Sequence, residues 1–203
     1  MPSVHLIERK FYSRNTIDVA KDLLGKILVR IIDGKVISGA IVESEAYRST
    51  DDPASHSHRG KTERNSVMFG EVGHAYVYFT YGNHYCLNIV AKEDNTPAGA
   101  VLIRAIEPIE GISFMRRYRK TSDPYNLTSG PGKLTQALKV TKRQNGVDVT
   151  KKEELYVVNG KHIDESEIVA TSRIGIRVAL NKPWRFLIVD NEFVSRKIKM
   201  LNR

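Results

Sequence analysis

The stretch Tyr76-Val77-Tyr78-Phe79-Thr80-Tyr81-Gly82-Asn83-His84-Tyr85-Cys86-Leu87-Asn88 decides how this chain is read. Four tyrosines (Tyr76, Tyr78, Tyr81 and Tyr85) fall within ten residues. Two runs of strand character meet at Gly82-Asn83, a turn signal, so the stretch predicts a hairpin. Alternation places Tyr76, Tyr78 and Thr80 on one face, and Val77, Phe79 and Tyr81 on the other. Tyr81 then stands at the lip of the turn, where a ring can protrude. A row of rings leading to an exposed tip suits stacking on flat ligands such as nucleobases. The same rings also suit a half-buried hairpin that packs a core, because aromatics are common in strands.

Outward from the hairpin the pattern is mixed. Ile17, Ala20, Leu23 and Leu24 recur at helical spacing, with Thr16 as the expected cap and Gly25 as the stop. Ile27 to Ile32 and Val36 to Glu43 read as strands joined at Asp33-Gly34, with Glu45 where the second gives out. Ser49 to Ser66 is polar and reads as a long loop, a length often tied to function. A strand is expected from Ala100 to Ile106, then a helix-like stretch beginning at Pro108. Ser129-Gly130-Pro131-Gly132-Lys133 is a turn leading into a helix from Leu134 to Val140. Late strands are expected at Tyr156-Val157-Val158 and from Phe186 to Val189. Strands in series with helices interspersed irregularly predict an α+β fold.

At 203 residues the chain is long enough for one domain, taken here as 1–203, with a substantial core. No apolar run reaches membrane-spanning length, so no membrane partner is expected. The first ten residues lack a signal-peptide core, and the single cysteine, Cys86, fits a reducing cytosol. Cys86 sits in an apolar strand and reads as a packed thiol. Zinc-type Cys and His spacings are absent, and neither metal nor organic cofactor is expected.

The charge is less ordinary: 32 Lys and Arg against 23 Asp and Glu give +9. From Ser113 to Arg143 eight basic residues face one acidic residue, Asp123. A basic field of this kind favours a polyanion, most simply a nucleic acid backbone, and carries no sequence information.

Several polar residues sit where chemistry could use them. Glu43, Glu45 and Tyr47 share a strand face, and a carboxylate beside a ring can act as a general base. Asn88 lies between Leu87 and Ile89, and Arg104 lies inside Ala100-Val101-Leu102-Ile103-Arg104-Ala105-Ile106. Each needs a partner; Glu43 and Glu45 are available to Arg104. The Ser129–Lys133 turn offers backbone N–H groups and a lysine to a phosphate, without P-loop spacing.

Taken together, Glu43-Ser44-Glu45-Ala46-Tyr47, Asp51-Asp52, His56-Ser57, Arg64-Asn65, Met68-Phe69, Tyr76-Val77-Tyr78, Tyr81-Gly82 and Cys86-Leu87-Asn88-Ile89 resemble one family in matching order. Val101-Leu102-Ile103-Arg104-Ala105, Glu107-Pro108-Ile109-Glu110-Gly111, Ser129-Gly130-Pro131, Lys133-Leu134 and Arg173-Ile174-Gly175-Ile176 continue the match. The family is that of the alkyladenine (3-methyladenine) DNA glycosylases of mammalian type, here in a compact bacterial-type form without a long N-terminal extension.

The resemblance implies a curved antiparallel sheet with flanking helices and a hairpin that enters the DNA minor groove. It implies monofunctional hydrolysis of the N-glycosidic bond of flipped 3-methyladenine, 7-methylguanine, hypoxanthine and ethenoadenine, by a monomer acting in the cytoplasm on nucleoid DNA. Glu45 is expected to activate water, with Arg104 and the Ile174 carbonyl holding it. Tyr47, His56 and Tyr78 are expected to enclose the base, His56 also offering its backbone N–H. Asn88 is expected to crowd the exocyclic amine of guanine, and Tyr81 to fill the vacated stack. Asn83, His84 and Lys133 are expected to meet the backbone. Tyr76 and Tyr85 are read as structural. Two departures stand out: the polar tip Asn83-His84, where mammalian members carry bulkier apolar residues, and a shortened Arg59–Thr62 loop. A non-catalytic nucleic-acid-binding module and a small-nucleoside hydrolase are the rival readings.

Overall fold

Strand β2 (Lys35–Tyr47) is the spine of the fold. The computed structural model describes residues 5–80 and 82–197. One edge of β2 pairs along its length with β5 (Ala100–Glu110). The other edge is shared. β1 (Ile27–Ile32) takes Lys35 to Ala40, and β8 (Arg185–Ile188) takes Glu43 to Glu45. The register shifts on either side of Glu43 against β5. A bulge there bends the strand as it passes from one partner to the next.

The tyrosine stretch forms the predicted hairpin of β3 (Ala75–Thr80) and β4 (His84–Val90), with β4 docked on β5 through Asn88 to Val90. Gly82 supplies the left-handed backbone of the turn at φ 71°. β6 (Leu155–Val158) extends the sheet beyond β1, and β7 (Ile168–Thr171) pairs with β8. Every pairing is antiparallel, and the chain forms a single compact α+β domain.

Four helices pack around this sheet: α1 (Arg9–Tyr12), α2 (Thr16–Asp22), α3 (Ile112–Arg119) and α4 (Pro131–Ala137). Helix α2 and the turn after it bury Val19, Ala20, Leu23 and Leu24 in the main core. Each such side chain contributes about 1.5–3 kcal/mol on burial. No helix among the described residues is long and apolar enough to cross a membrane.

Three expectations need correction. Asn15 caps α2, accepting from the Ile17 N–H at 3.0 Å, while the Thr16 hydroxyl turns inward to donate to the Ala91 carbonyl. Strand β2 runs on to Tyr47, so Glu45 lies within it; neighbours on both edges continue the pairing. Pro108 does not open a helix. It lies in β5 opposite Gly39, beside a register shift and beyond the residues that pair with β4, an irregular edge position of the kind that tolerates proline. The helix starts only after Gly111, whose φ of 73° breaks the strand.

Candidate active site

Alternation on the hairpin brings one set of side chains onto one face. Tyr76 pairs with Asn88, Tyr78 with Cys86, and Asn88 in turn with Leu102. These residues wall a cavity of about 360 Å³, together with Tyr47, His56, Arg104 and Ile174. Six expected site residues from six separate segments therefore meet in one place: Tyr47, His56, Tyr78, Asn88, Arg104 and Ile174. Among the described residues no lysine lines this cavity. Among the described residues no three His, Cys, Asp or Glu gather to hold a metal.

Glu45 is fully buried and does not itself line the cavity; its three hydrogen-bonding and charge partners do. Its Oε1 accepts from the Ile174 N–H at 2.7 Å and lies 3.3 Å from Arg104 Nη1. Its Oε2 accepts from the Tyr47 hydroxyl at 2.8 Å. Burial pushes the carboxyl above its ordinary pKa, and Glu43 adds to the rise; Arg104 and the two hydrogen bonds pull the other way without cancelling it. A base tuned upward within reach of a cavity is a usual mark of proton-transfer chemistry.

Arg104 finds both carboxylates available to it. Its Nε donates to Glu43 Oε1 at 2.9 Å, so one guanidinium bridges the two glutamates. Asn88 satisfies part of its amide by donating to the Tyr76 carbonyl at 3.0 Å. Cys86 is buried, and burial raises its thiol pKa, in keeping with a packed thiol on the cavity floor.

The aromatic walls are held from behind. His56 Nδ1 lies 2.9 Å from the Tyr76 hydroxyl, and its ring meets Tyr78 edge-on at 4.6 Å. Surrounding protein, then Arg64, lower the His56 pKa, which keeps the ring neutral at neutral pH. Burial lifts the Tyr76 phenol to about 12, so it stays protonated. The structural role expected of Tyr76 is thus specific: its hydroxyl holds the His56 ring, and its own ring lines the cavity. On the far side, Arg173 lies 4.6 Å from the centre of the Tyr47 ring. It makes a two-pronged pair with Asp52 at 2.6 and 2.7 Å, both side chains wholly buried. Arg173 does not line the cavity, so it backs Tyr47 from outside.

Of the remaining expected residues, Asn83, His84 and Lys133 do not line this cavity. Tyr81 falls outside the described residues. Asn83 and His84 line an open groove of about 770 Å³ with Gly132, Lys139 and Arg143. Tyr85 lines that groove and Cys86 the cavity. A Cβ at Gly132 would come within 2.9 Å of the His84 ring, and glycine permits this close approach. Lys133 sits in the first turn of α4, two residues after Pro131 at the cavity wall.

Residues 10–192 match the methylpurine-DNA glycosylase family. The chain belongs to this family. Members are DNA glycosylases, hydrolases of N-glycosyl bonds that act on DNA. Relatives named "Putative 3-methyladenine DNA glycosylase" agree along nearly the whole length. The protein of Carboxydothermus hydrogenoformans is 49% identical, covering 95% of this chain and 100% of its own. That of Alkaliphilus oremlandii is 48% identical, covering 94% and 99%, and that of Clostridium acetobutylicum 47%, covering 92% and 96%. As a methylpurine-DNA glycosylase, the chain was recognisable from its ordered motifs. Three parts of its site were not: the Tyr76 hold on His56, the Asp52–Arg173 pair behind Tyr47, and the partners that surround Glu43. Arg185, set directly before Phe186-Leu187-Ile188, carried the same signal as Arg104.

Proposed function

We propose that this glycosylase flips damaged purines out of duplex DNA into the 360 Å³ cavity and hydrolyses their N-glycosidic bond with a water activated by Glu45. The observation that carries this reading is Glu45 itself, a buried carboxylate with raised pKa whose partners Tyr47, Arg104 and Ile174 are all cavity walls. Extrusion costs a few kcal/mol, least at a lesion. Stacking against Tyr47, with Tyr78 and His56 opposite, returns about 1–3 kcal/mol per base. A cationic lesion such as 3-methyladenine or 7-methylguanine gains about 0.5–2 kcal/mol more from electron-rich rings. Tyr81 fills the vacated stack as an intercalating wedge, and Asn83, His84 and Lys133 meet the backbone.

The Tyr47 hydroxyl donates to Glu45 Oε2. Water reaches that oxygen when the incoming base draws the Tyr47 ring aside. Arg104 and the Ile174 backbone then fix the water's other side. Glu45 takes its proton as the C–N bond breaks, and the ionised carboxylate stabilises the oxocarbenium-like sugar. Asn88 narrows the floor against the exocyclic amine of guanine. For hypoxanthine and ethenoadenine the leaving base also needs a proton. The reading is of a monomeric, cytosolic enzyme without a lyase step, since no lysine among the described residues lines the cavity to form a Schiff base.

The test is to incubate the chain with duplexes carrying hypoxanthine, ethenoadenine, 3-methyladenine or 7-methylguanine and to identify the released base. Release by the wild type, with none from Glu45→Gln, is expected. Binding without release of any base by the wild type would leave only a nucleic-acid-binding module.

A further inference from the structure

The assignment of Glu45 as base leaves a second buried carboxylate unexplained. Glu43 is wholly buried and does not line the cavity, yet it accepts four hydrogen bonds. Its Oε1 receives Arg104 Nε at 2.9 Å, Arg185 Nε at 2.6 Å and the Ser195 hydroxyl at 2.8 Å. Its Oε2 receives the Ser195 N–H at 2.5 Å. Arg185 is anchored in turn by the Arg196 carbonyl at 2.7 Å. Arg104 ends up with three different partners: Nε on Glu43, Nη1 on Glu45 and Nη2 on the Ser195 hydroxyl at 3.3 Å. Desolvating two carboxylates and two guanidiniums costs several kcal/mol per ion, and a pair of well-packed apolar residues would serve stability as well or better.

We propose that Glu43 is a positioning residue of the reaction, and that Arg185 and Ser195 hold it so that the Arg104 guanidinium is turned toward Glu45 and shared with it rather than captured. This rests on the reading of Glu45 as the base. The division of charge is the physical content. Glu43 and Glu45 compete for Arg104. Arg185, opposite Glu45 in the strand register, directs its own side chain to Glu43 and so neutralises the competitor. The result is visible in the two carboxyls. At Glu43 burial acts upward, but Arg104, Arg185 and the Ser195 N–H outweigh it and hold the pKa below its ordinary value. Glu45 stays above its own. The other charged or titratable groups acting on Glu45 are Tyr47 on β2, Tyr78 on β3 and Cys86 on β4, each itself shifted upward in pKa. None of these carries charge at neutral pH, so Arg104 and Glu43 are the charges Glu45 feels, and Arg185 acts through Glu43.

The test follows single-turnover release of 7-methylguanine from duplex DNA across the acid range, using the full chain and variants whose folding is checked by thermal melting. The leaving base is already cationic, so the acid limb reports the base alone. Glu43→Gln removes a negative neighbour and is expected to move that limb to lower pH. Arg185→Gln leaves Glu43 under-neutralised and free to take Arg104, and is expected to move it to higher pH. About one unit either way, a tenfold rate change at a fixed pH on the limb, is the expected size. Ser195→Ala is the milder change, usable if Arg185→Gln does not fold, and is expected to move the limb in the direction of Arg185→Gln. Rates that fall equally at all pH, or limbs that move together in Glu43→Gln and in Arg185→Gln or Ser195→Ala, would overturn the proposal and leave the cluster structural. Release surviving in Glu45→Gln would instead overturn the reading of the base.

Discussion

β2, β5 and β8 meet around four charged side chains that are almost wholly excluded from water: Glu43, Glu45, Arg104 and Arg185. The β3–β4 hairpin leaves its tip residues Asn83 and His84 exposed, and its Phe79 ring is half exposed. One region is locked by hydrogen bonds between 2.5 and 3.3 Å. At the tip the His84 ring rests on Gly132 of α4. Under the proposed function the contrast separates two tasks. Chemistry needs charges held still before the substrate arrives, because dipoles already oriented cost nothing to reorient during reaction. Capture of DNA needs an exposed, adaptable edge, where each phosphate contact is weak and many act together.

The comparison can be broken at several points. The largest effect is expected at the locked end. Glu45→Gln should lower single-turnover base release by about 10²–10⁴-fold or more, while a fluorescence titration against lesion-containing duplex shows little loss of affinity. Equal losses of both would mean that floor and tip are not separable. Next comes the support behind Tyr47. Asp52→Asn strips Arg173 of its charge partner inside the protein and is expected to cost about 3–5 kcal/mol in urea unfolding. A midpoint unchanged from wild type would show that the pair is dispensable.

The pH dependence sharpens the same division. A carboxylate works as a base only when ionised, and the Glu45 pKa is raised. Release should therefore fall as pH drops through a value above that of an ordinary glutamate. Duplex binding, measured in parallel, should not follow that curve. Release that holds constant down to the ordinary glutamate range would contradict the raised base. Tyr78→Ser removes one stacking wall and should cost about 1–3 kcal/mol in lesion binding, with most of the base-release rate recovered at saturating enzyme. The smallest effect belongs to the outer edge. Lys133→Ala should weaken lesion and undamaged duplex alike and reduce the slope of log affinity against log salt by about one. A slope equal to wild type would place Lys133 away from phosphates.

Much of the site was legible because polar residues break apolar strands. Asn88 between Leu87 and Ile89, and Arg104 within β5, both announced a need for partners, and both line the cavity. The hairpin was legible for a different reason: strand alternation and a Gly-Asn turn are properties of adjacent residues. The basic stretch was legible only as a sum. Within it Arg119 is structural, its guanidinium bound to the Leu127 and Asn126 carbonyls and to Gln136 in α4. Arg116, Arg117, Lys120, Lys142 and Arg143 remain exposed for a polyanion. Composition cannot make that distinction, because a carbonyl partner has no residue type.

By itself the sequence determined which residues share a face, where the hairpin turns and which order of motifs marks the family. Each of these depends on neighbours a few positions apart. Tertiary structure alone decided that Glu43 meets Ser195 across 152 residues, that Asp52 meets Arg173 across 121 and that Tyr76 holds His56. It also decided that Glu45 sits behind the cavity wall rather than in it. These are contacts between distant segments. Their strength depends on exclusion of water, which arises only when the sheet closes around them.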